Sequence, residues 1–175
     1  PTAPVHRKLR VAYFSTGDEI LAPGSKAREG AIFDSNRYSL IALLKQLGAE
    51  VQDLGGVADD ALQLQQKLQQ AATCADVVLT SGGISAGEAD HTRAVLQQLG
   101  EMHFWRLAMR PGKPLTMGLL HKAPIDNSEE FQAKLALQAR TSGSRSYQNN
   151  SATKSRAVVL IGLPGNPVAA MVSFL

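Results

Sequence analysis

Three turns punctuated by glycine or proline each follow a short apolar run: Ser15-Thr16-Gly17-Asp18-Glu19, Ser81-Gly82-Gly83-Ile84-Ser85-Ala86-Gly87-Glu88-Ala89-Asp90, and Gly162-Leu163-Pro164-Gly165-Asn166-Pro167. The runs before them, residues 9–14, 76–80 and 157–161, have the length and apolar content of buried strands. Between the turns lie segments with helical periodicity. Strands alternating with helices limit the chain to an α/β fold, a three-layer, mostly parallel sheet with helices on both faces. Right-handed crossovers carry the loops after strand C-termini to one edge of such a sheet, so the three turns are expected to meet at one crevice.

The remaining elements follow from local signals. A helix is expected over residues 36–48, with Leu40, Leu43, Leu44 and Leu47 inward and Gly48 as its stop. A strand over 50–54 is closed by Gly55-Gly56. Asp59 and Asp60 open a second helix, where negative charge suits the positive end of the dipole. Ala61, Leu64, Leu68, Ala71 and Ala75 form its apolar face, and Gln63, Gln65, Gln66, Gln69 and Gln70 read as its solvated face. A third helix is expected over 91–99 with Gly100 as stop, then strands over 102–107 and 115–120 around the rigid turn Arg110-Pro111-Gly112-Lys113-Pro114. Over residues 121–155 the pattern fails, apart from a short helical stretch at 131–139, and the segment reads as a disordered surface insertion. In the last turn Asn166 is placed as an N-cap with Pro167 at the first helical position.

Composition narrows the function. With 175 residues, 44% of them apolar and 19% charged, the chain has the make-up of a single soluble domain. The net charge is +3 and the basic residues are spread along the chain, with no aromatic-interleaved stripe, which argues against nucleic acid. No apolar run approaches a membrane span and no secretory pattern is present, so the cytoplasm is the expected compartment. Cys74 is the single cysteine and reads as a spectator thiol; His6, His91, His103 and His121 lack metal-ligand spacing. The chain opens at Pro1 and ends at Leu175 within an apolar run, and so reads as one domain, residues 1–175, of a longer protein.

The middle turn carries the chemistry. Ser81, Gly82, Gly83, Ser85 and Gly87 lie between a strand and a helix start, where backbone N–H groups can face an anion. No Gly-Lys-Ser/Thr follows, which excludes a Walker A loop. Glu88 and Asp90 close the turn, as carboxylates that could hold a hard cation such as Mg²⁺ or simply charge a helix start. Arg106, Arg110 and Lys113 bracket a proline-stiffened loop suited to an oxyanion.

Together the motifs Ser15–Glu19, Ser81–Asp90, Arg110–Pro114 and Gly162–Pro167 resemble the MoeA proteins of molybdenum cofactor synthesis. The match is to their central, MogA-like domain, also present in the E domains of gephyrin and its plant counterpart, over residues 9–120 and 157–175. The resemblance implies a molybdopterin molybdotransferase that takes adenylylated molybdopterin and molybdate, inserts the metal and releases AMP with a divalent cation. Carried over residue by residue, it implies catalytic roles for Asp90, Glu19, Asp59, Arg106 and Arg110, and Mg²⁺ ligation by Asp90 and Glu88. It also implies substrate binding by Thr16, Gly17, Ser81, Gly82, Gly83, Ser85, Gly87, Lys113, Gly165 and Asn166. A homodimer of the full-length protein is implied, with a MogA-type adenylyltransferase as a further partner and a fragment that alone only binds ligand. Arg106 stands where the family often has lysine, and Ala169 where it often has serine. The rival readings are a stand-alone MogA-type adenylyltransferase, a non-catalytic gephyrin-like scaffold, and a CinA-like amidohydrolase. The last is disfavoured by Ile84-Ser85-Ala86-Gly87.

Overall fold

The computed structural model describes residues 3–82, 95–96, 98–104, 115–121 and 157–175. The first strand, β1 (Arg10–Thr16), is buried from Val11 to Thr16 and lies inside a six-stranded sheet. Its side chains alternate between two cores: Ala12 and Phe14 enter one, Val11 and Tyr13 the other. After β1 come the short strands β2 (Ile20–Leu21) and β3 (Ile32–Phe33), then α1 (Ser35–Gln46), β4 (Glu50–Val57), α2 (Ala61–Cys74) and β5 (Val77–Ser81). The chain closes with β6 (Gly100–Phe104), β7 (Thr116–Leu120), β8 (Val158–Leu163) and α3 (Pro167–Phe174).

The strand order is β4-β1-β5-β8-β7-β6. β4, β1, β5 and β8 are parallel, whereas β7 runs antiparallel to β8 and to β6. The mixed, mostly parallel sheet is covered on one face by α2 and the helical residues Val95, Leu96 and Leu99, and on the other by α1 and α3. From β1 the chain moves out to β4, crosses back to β5, and thereafter moves to the other side. Strand order therefore reverses between β1 and β5, the place where an open α/β sheet leaves a crevice at its C-terminal edge.

Local chemistry explains the boundaries, including those that differ from expectation. α1 is capped by Asp34, whose carboxylate accepts from Arg37 N at 3.1 Å, one residue earlier than the sequence pattern suggested. It ends in a Schellman motif: Gly48 N–H donates to Lys45 O and Ala49 N–H to Leu44 O, with Gly48 at φ +83°. Leu40 and Leu44 are buried, but Leu47, expected inward, is 76% exposed because it lies beyond the last turn as the C-cap. Gly55-Gly56 does not stop β4. The register to β1 slips between Tyr13–Asp53 and Ser15–Gly56, and Gly55 at φ +78° absorbs the irregularity while the strand continues to Val57.

Asp60 alone caps α2, accepting from Gln63 N at 2.8 Å. The glutamine face is only partly solvated: Gln63, Gln66 and Gln70 are exposed, but Gln65 and Gln69 are buried beside Ala72. α2 thus buries two adjacent stripes, 64-68-71 and 65-69-72, of which only the first is apolar throughout. Gly100 is the first residue of β6 rather than a helix stop; a Cβ there would collide with Leu119 O. Asn166 caps α3 through Ala169 N at 3.1 Å with Pro167 in its first turn, as expected. The turn at 110–114 and the segment expected as an insertion lie outside the described residues, apart from His121. No helix among the described residues is long and apolar enough to cross a membrane.

At the opposite, N-terminal edge, Asp76 anchors the chain before β1. Its carboxylate receives Arg7 Nη1 at 2.5 Å and Nη2 at 2.7 Å, and Arg10 N at 3.1 Å. The Arg7 hydrogen bonds, more than any other contact, hold it well below the usual carboxylate range. A depressed folded value means that this contribution to stability is whole at neutral pH and is lost as pH falls below about 4. Because Arg7 is half exposed, Asp76→Ala is expected to cost only about 1 kcal/mol at pH 7. Denaturant unfolding of both proteins at pH 7 and pH 3 checks this. The gap should narrow at pH 3, and a constant gap contradicts the ion-pair account.

Candidate functional site

The ends of β1, β5 and β8 are adjacent in the sheet, and so are the turns that follow them. Gly82 N–H donates to Leu163 O at 3.2 Å, tying the turn after β5 to the end of β8. Thr16 Oγ1 donates to Ser81 O at 3.4 Å, tying β1 to β5. Gly82 sits at φ +84°, and a Cβ there would overlap the carbonyl oxygen of Thr16. A Cβ on Gly165 would lie 3.5 Å from Gly82 Cα. Gly82 therefore has no room for a side chain, whereas Gly165 approaches it at ordinary van der Waals distance, so the two turns pack side by side.

A buried polar network lies beneath these turns. Ser15 Oγ donates to Asp34 Oδ2 at 2.5 Å. The Tyr13 hydroxyl lies 3.1 Å from Ser15 Oγ and 2.6 Å from Ser81 Oγ. Burial pushes the Tyr13 phenol up to about 12; the charges of Asp34 and Asp53 act in the same direction, and the hydrogen bonds to Ser15 and Ser81 against it. The raised value keeps the phenol neutral, and its contribution to stability is intact below about 10 and lost as pH rises toward 12. Asn36 Nδ2 donates to Gly165 O at 2.7 Å, joining the first turn of α1 to the third turn.

The first turn is fastened on its outer side. Asp59 N–H donates to Asp18 Oδ1 at 3.1 Å, and Asp18 N–H to Asp59 Oδ2 at 3.4 Å. Arg28 donates to the Asp18 carbonyl. Glu19 is exposed, with its carboxylate folded against Gly17: an added Cβ there would meet Glu19 Oε2 at 2.7 Å.

Of the residues singled out from sequence, Thr16, Gly17, Glu19, Asp59, Ser81, Gly82, Gly165 and Asn166 are described and cluster at this edge. The hydroxyls of Thr16 and Ser81 are buried and bonded within the protein, and Asn166 uses its side-chain oxygen as a helix cap. Gly83, Ser85, Gly87, Glu88, Asp90, Arg106, Arg110 and Lys113 lie outside the described residues. Sequence reading passed over Tyr13, Asp34 and Asn36. Two signals were available: Asp34-Ser35-Asn36 stands directly before a helical run, and a tyrosine within a buried strand needs a partner for its hydroxyl.

The turns after β1, β5 and β8 meet beside the N-terminus of α3 at the C-terminal edge of a mostly parallel sheet, the place where α/β domains of this class take their ligands. The family model described as a probable molybdopterin binding domain matches residues 12–175, and the chain belongs to that family. It is 36% identical over 169 residues to a molybdopterin molybdenumtransferase of Haemophilus influenzae, covering 97% of this chain and 33% of that protein. A molybdopterin molybdenumtransferase of Nostoc sp. is 36% identical over 175 residues, 99% of this chain and 33% of that protein. The chain thus spans about a third of the length of these relatives. Among solved structures, a molybdopterin biosynthesis MoeA protein of Pyrococcus horikoshii superposes with a TM-score of 0.69 at 29% identity, over 96% of this chain and 33% of that one. The tungsten cofactor synthesizing protein MoaB of Pyrococcus furiosus shares the fold, with a TM-score of 0.58 at 17% identity over 95% of this chain and 88% of that one.

The close pass at Gly82 yields a direct test. Gly82→Ala adds a methyl group against the Thr16 carbonyl at a positive φ, and should cost roughly 2–4 kcal/mol of stability. Denaturant titration measures it; a loss below about 0.5 kcal/mol would contradict the packing described for the two turns.

Proposed function

We propose that this chain is the pterin- and nucleotide-binding domain of a molybdopterin molybdotransferase, an enzyme of molybdenum cofactor biosynthesis. Its substrates are adenylylated molybdopterin and molybdate; the metal is inserted at the dithiolene and AMP is released. The convergence of Gly17, Gly82 and Gly165 at the strand-order reversal carries this function, in a chain 36% identical to molybdopterin molybdenumtransferases. Glycine backbone beside a helix N-terminus suits phosphate oxygens, which need close approach and N–H donors more than side chains. On this reading Thr16 and Ser81 act by shaping the turns, since their hydroxyls are bonded internally, and the resemblance assigns substrate binding to Gly83, Ser85 and Gly87.

Glu19 is an exposed carboxylate at the mouth of the cradle, while Asp59 holds the first turn through Asp18. Asp90 is the acid that would hold Mg²⁺ beside the nucleotide phosphate. Arg106, Arg110 and Lys113 supply positive charge, the last two for molybdate. Among the described residues no group of three His, Cys, Asp or Glu side chains could hold a metal ion. The described acids therefore do not make a Mg²⁺ site by themselves. The carboxylates proposed to hold Mg²⁺ are Glu88 and Asp90. The same reading carries a homodimer of the full-length protein, action in the cytoplasm, and a MogA-type adenylyltransferase as supplier of the adenylylated pterin.

Calorimetric titration with AMP in the presence of Mg²⁺ and, separately, with molybdate tests the assignment. Asp90→Ala is expected to weaken AMP binding about tenfold or more, the range for a lost charged contact. Arg110→Ala and Lys113→Ala should weaken molybdate by a similar factor and leave AMP within about twofold. Unchanged AMP binding in Asp90→Ala would remove the acid from the cradle, and equal losses for both ligands would remove the division of labour.

A further inference from the structure

The buried network below the turns has a direction that follows from counting protons. The Asp34 carboxylate can only accept, so the Ser15 hydroxyl proton points to it across 2.5 Å. With that proton committed, the contact between Tyr13 and Ser15 needs the Tyr13 proton, and the contact between Tyr13 and Ser81 then needs the Ser81 proton. All three hydroxyls therefore donate in series, Ser81 to Tyr13 to Ser15 to Asp34. Such a chain ending on a carboxylate is charge-assisted, and its links strengthen one another. The second Asp34 oxygen caps α1 through Arg37 N, and the Asp34 N–H donates to Leu21 O at 2.9 Å. Asp34 is only 4% exposed, and Ser15 and Ser81 are 1% and 3% exposed, so solvent does not compete for these bonds.

Apolar packing would hold β1 on β5 without desolvating a carboxylate. A polar chain instead fixes side-chain geometry at one place, the C-terminal ends of the two strands that flank the reversal of strand order. We propose that Asp34 is a positioning residue for the ligand edge, acting through Ser15 and Tyr13 to hold Ser81, and with it the Gly82 backbone, where a nucleotide phosphate meets the turn. This rests on the nucleotide-binding reading above only for the identity of the ligand. A corollary is that the Ser81 hydroxyl has no proton left for an oxyanion.

Two variants separate positioning from plain stability. Asp34→Asn keeps a residue type equally good as a helix N-cap, but one carbonyl oxygen must replace two. Ser15→Ala leaves the Asp34 cap untouched and cuts the series in its middle. Amide hydrogen exchange is read at Gly82 against Val78, a fully buried residue of β5, and AMP affinity is measured by calorimetry in the presence of Mg²⁺. In both variants Gly82 exchange is expected to accelerate at least tenfold relative to Val78, with AMP affinity reduced about tenfold. Exchange at Gly82 that merely follows Val78 overturns the positioning role, and accelerated exchange with wild-type AMP affinity overturns its link to ligand. If wild-type protein binds no AMP, the nucleotide reading fails, and the exchange ratio alone decides whether Asp34 positions the turn. Should Asp34→Asn fail to fold, Ser15→Ala decides the same question.

Discussion

The end of β5 lies so close on the end of β1 that residue 82 has no room for a side chain, because the Thr16 carbonyl occupies the place a Cβ would take. Several features of the ligand edge depend on that approach. It lets the Gly82 amide reach the Leu163 carbonyl, which draws the end of β8 into the same corner. It also brings Gly165 alongside, so that three turns distant in sequence share one backbone floor. Sheet pairing alone sets the strands about 4.8 Å apart. The polar chain from Ser81 to Asp34 and the Asn36 bond to the third turn add side-chain bonds to the ladder at the C-terminal corner.

The two ends of the sheet divide structural and binding work. At the N-terminal edge Asp76 gathers Arg7 and Arg10 into ion pairs that fasten the incoming chain. At the C-terminal edge the acids are arranged otherwise: Asp18 and Asp59 clasp each other's backbone, Asp34 is buried under the turns, and Glu19 stands exposed. That asymmetry fits a domain whose ligand lies across the C-terminal ends of its strands. The relatives are about three times as long as this chain, so the crevice is one contribution to a larger catalytic assembly in the function proposed.

Much of the architecture was legible because it follows from local periodicity and punctuation. The apolar runs became β1, β5 and β8, Asn166 with Pro167 opened α3, and the turns met at one edge as parallel strands require. What escaped depends on partners distant in sequence. Gly55 looked like a strand stop, yet the slip of β4 against β1 makes it an internal irregularity. Gln65 and Gln69 looked solvated by type, and their burial depends on what packs over α2 rather than on α2 itself. Leu47 had the right spacing for a core position, but the helix ended before its side chain could turn inward. Asp34 was hidden for the opposite reason: its cap signal is local, while its bond to Ser15 spans a loop whose path the sequence does not show. The acids and bases to which the resemblance assigns most of the chemistry, Asp90, Arg106, Arg110 and Lys113, fall outside the described residues.

The central claim is that the three turns form one ligand edge. Amide correlation spectra of the isotopically labelled chain, recorded while AMP is added, test it most directly. The account predicts saturable shifts at Gly17, Gly82 and Gly165 together, with the N-terminal edge silent. Shifts confined to the shallow concavity lined by His6, Arg7, Asp76 and Ala157, or an unmoved Gly82 at saturating AMP, would contradict it.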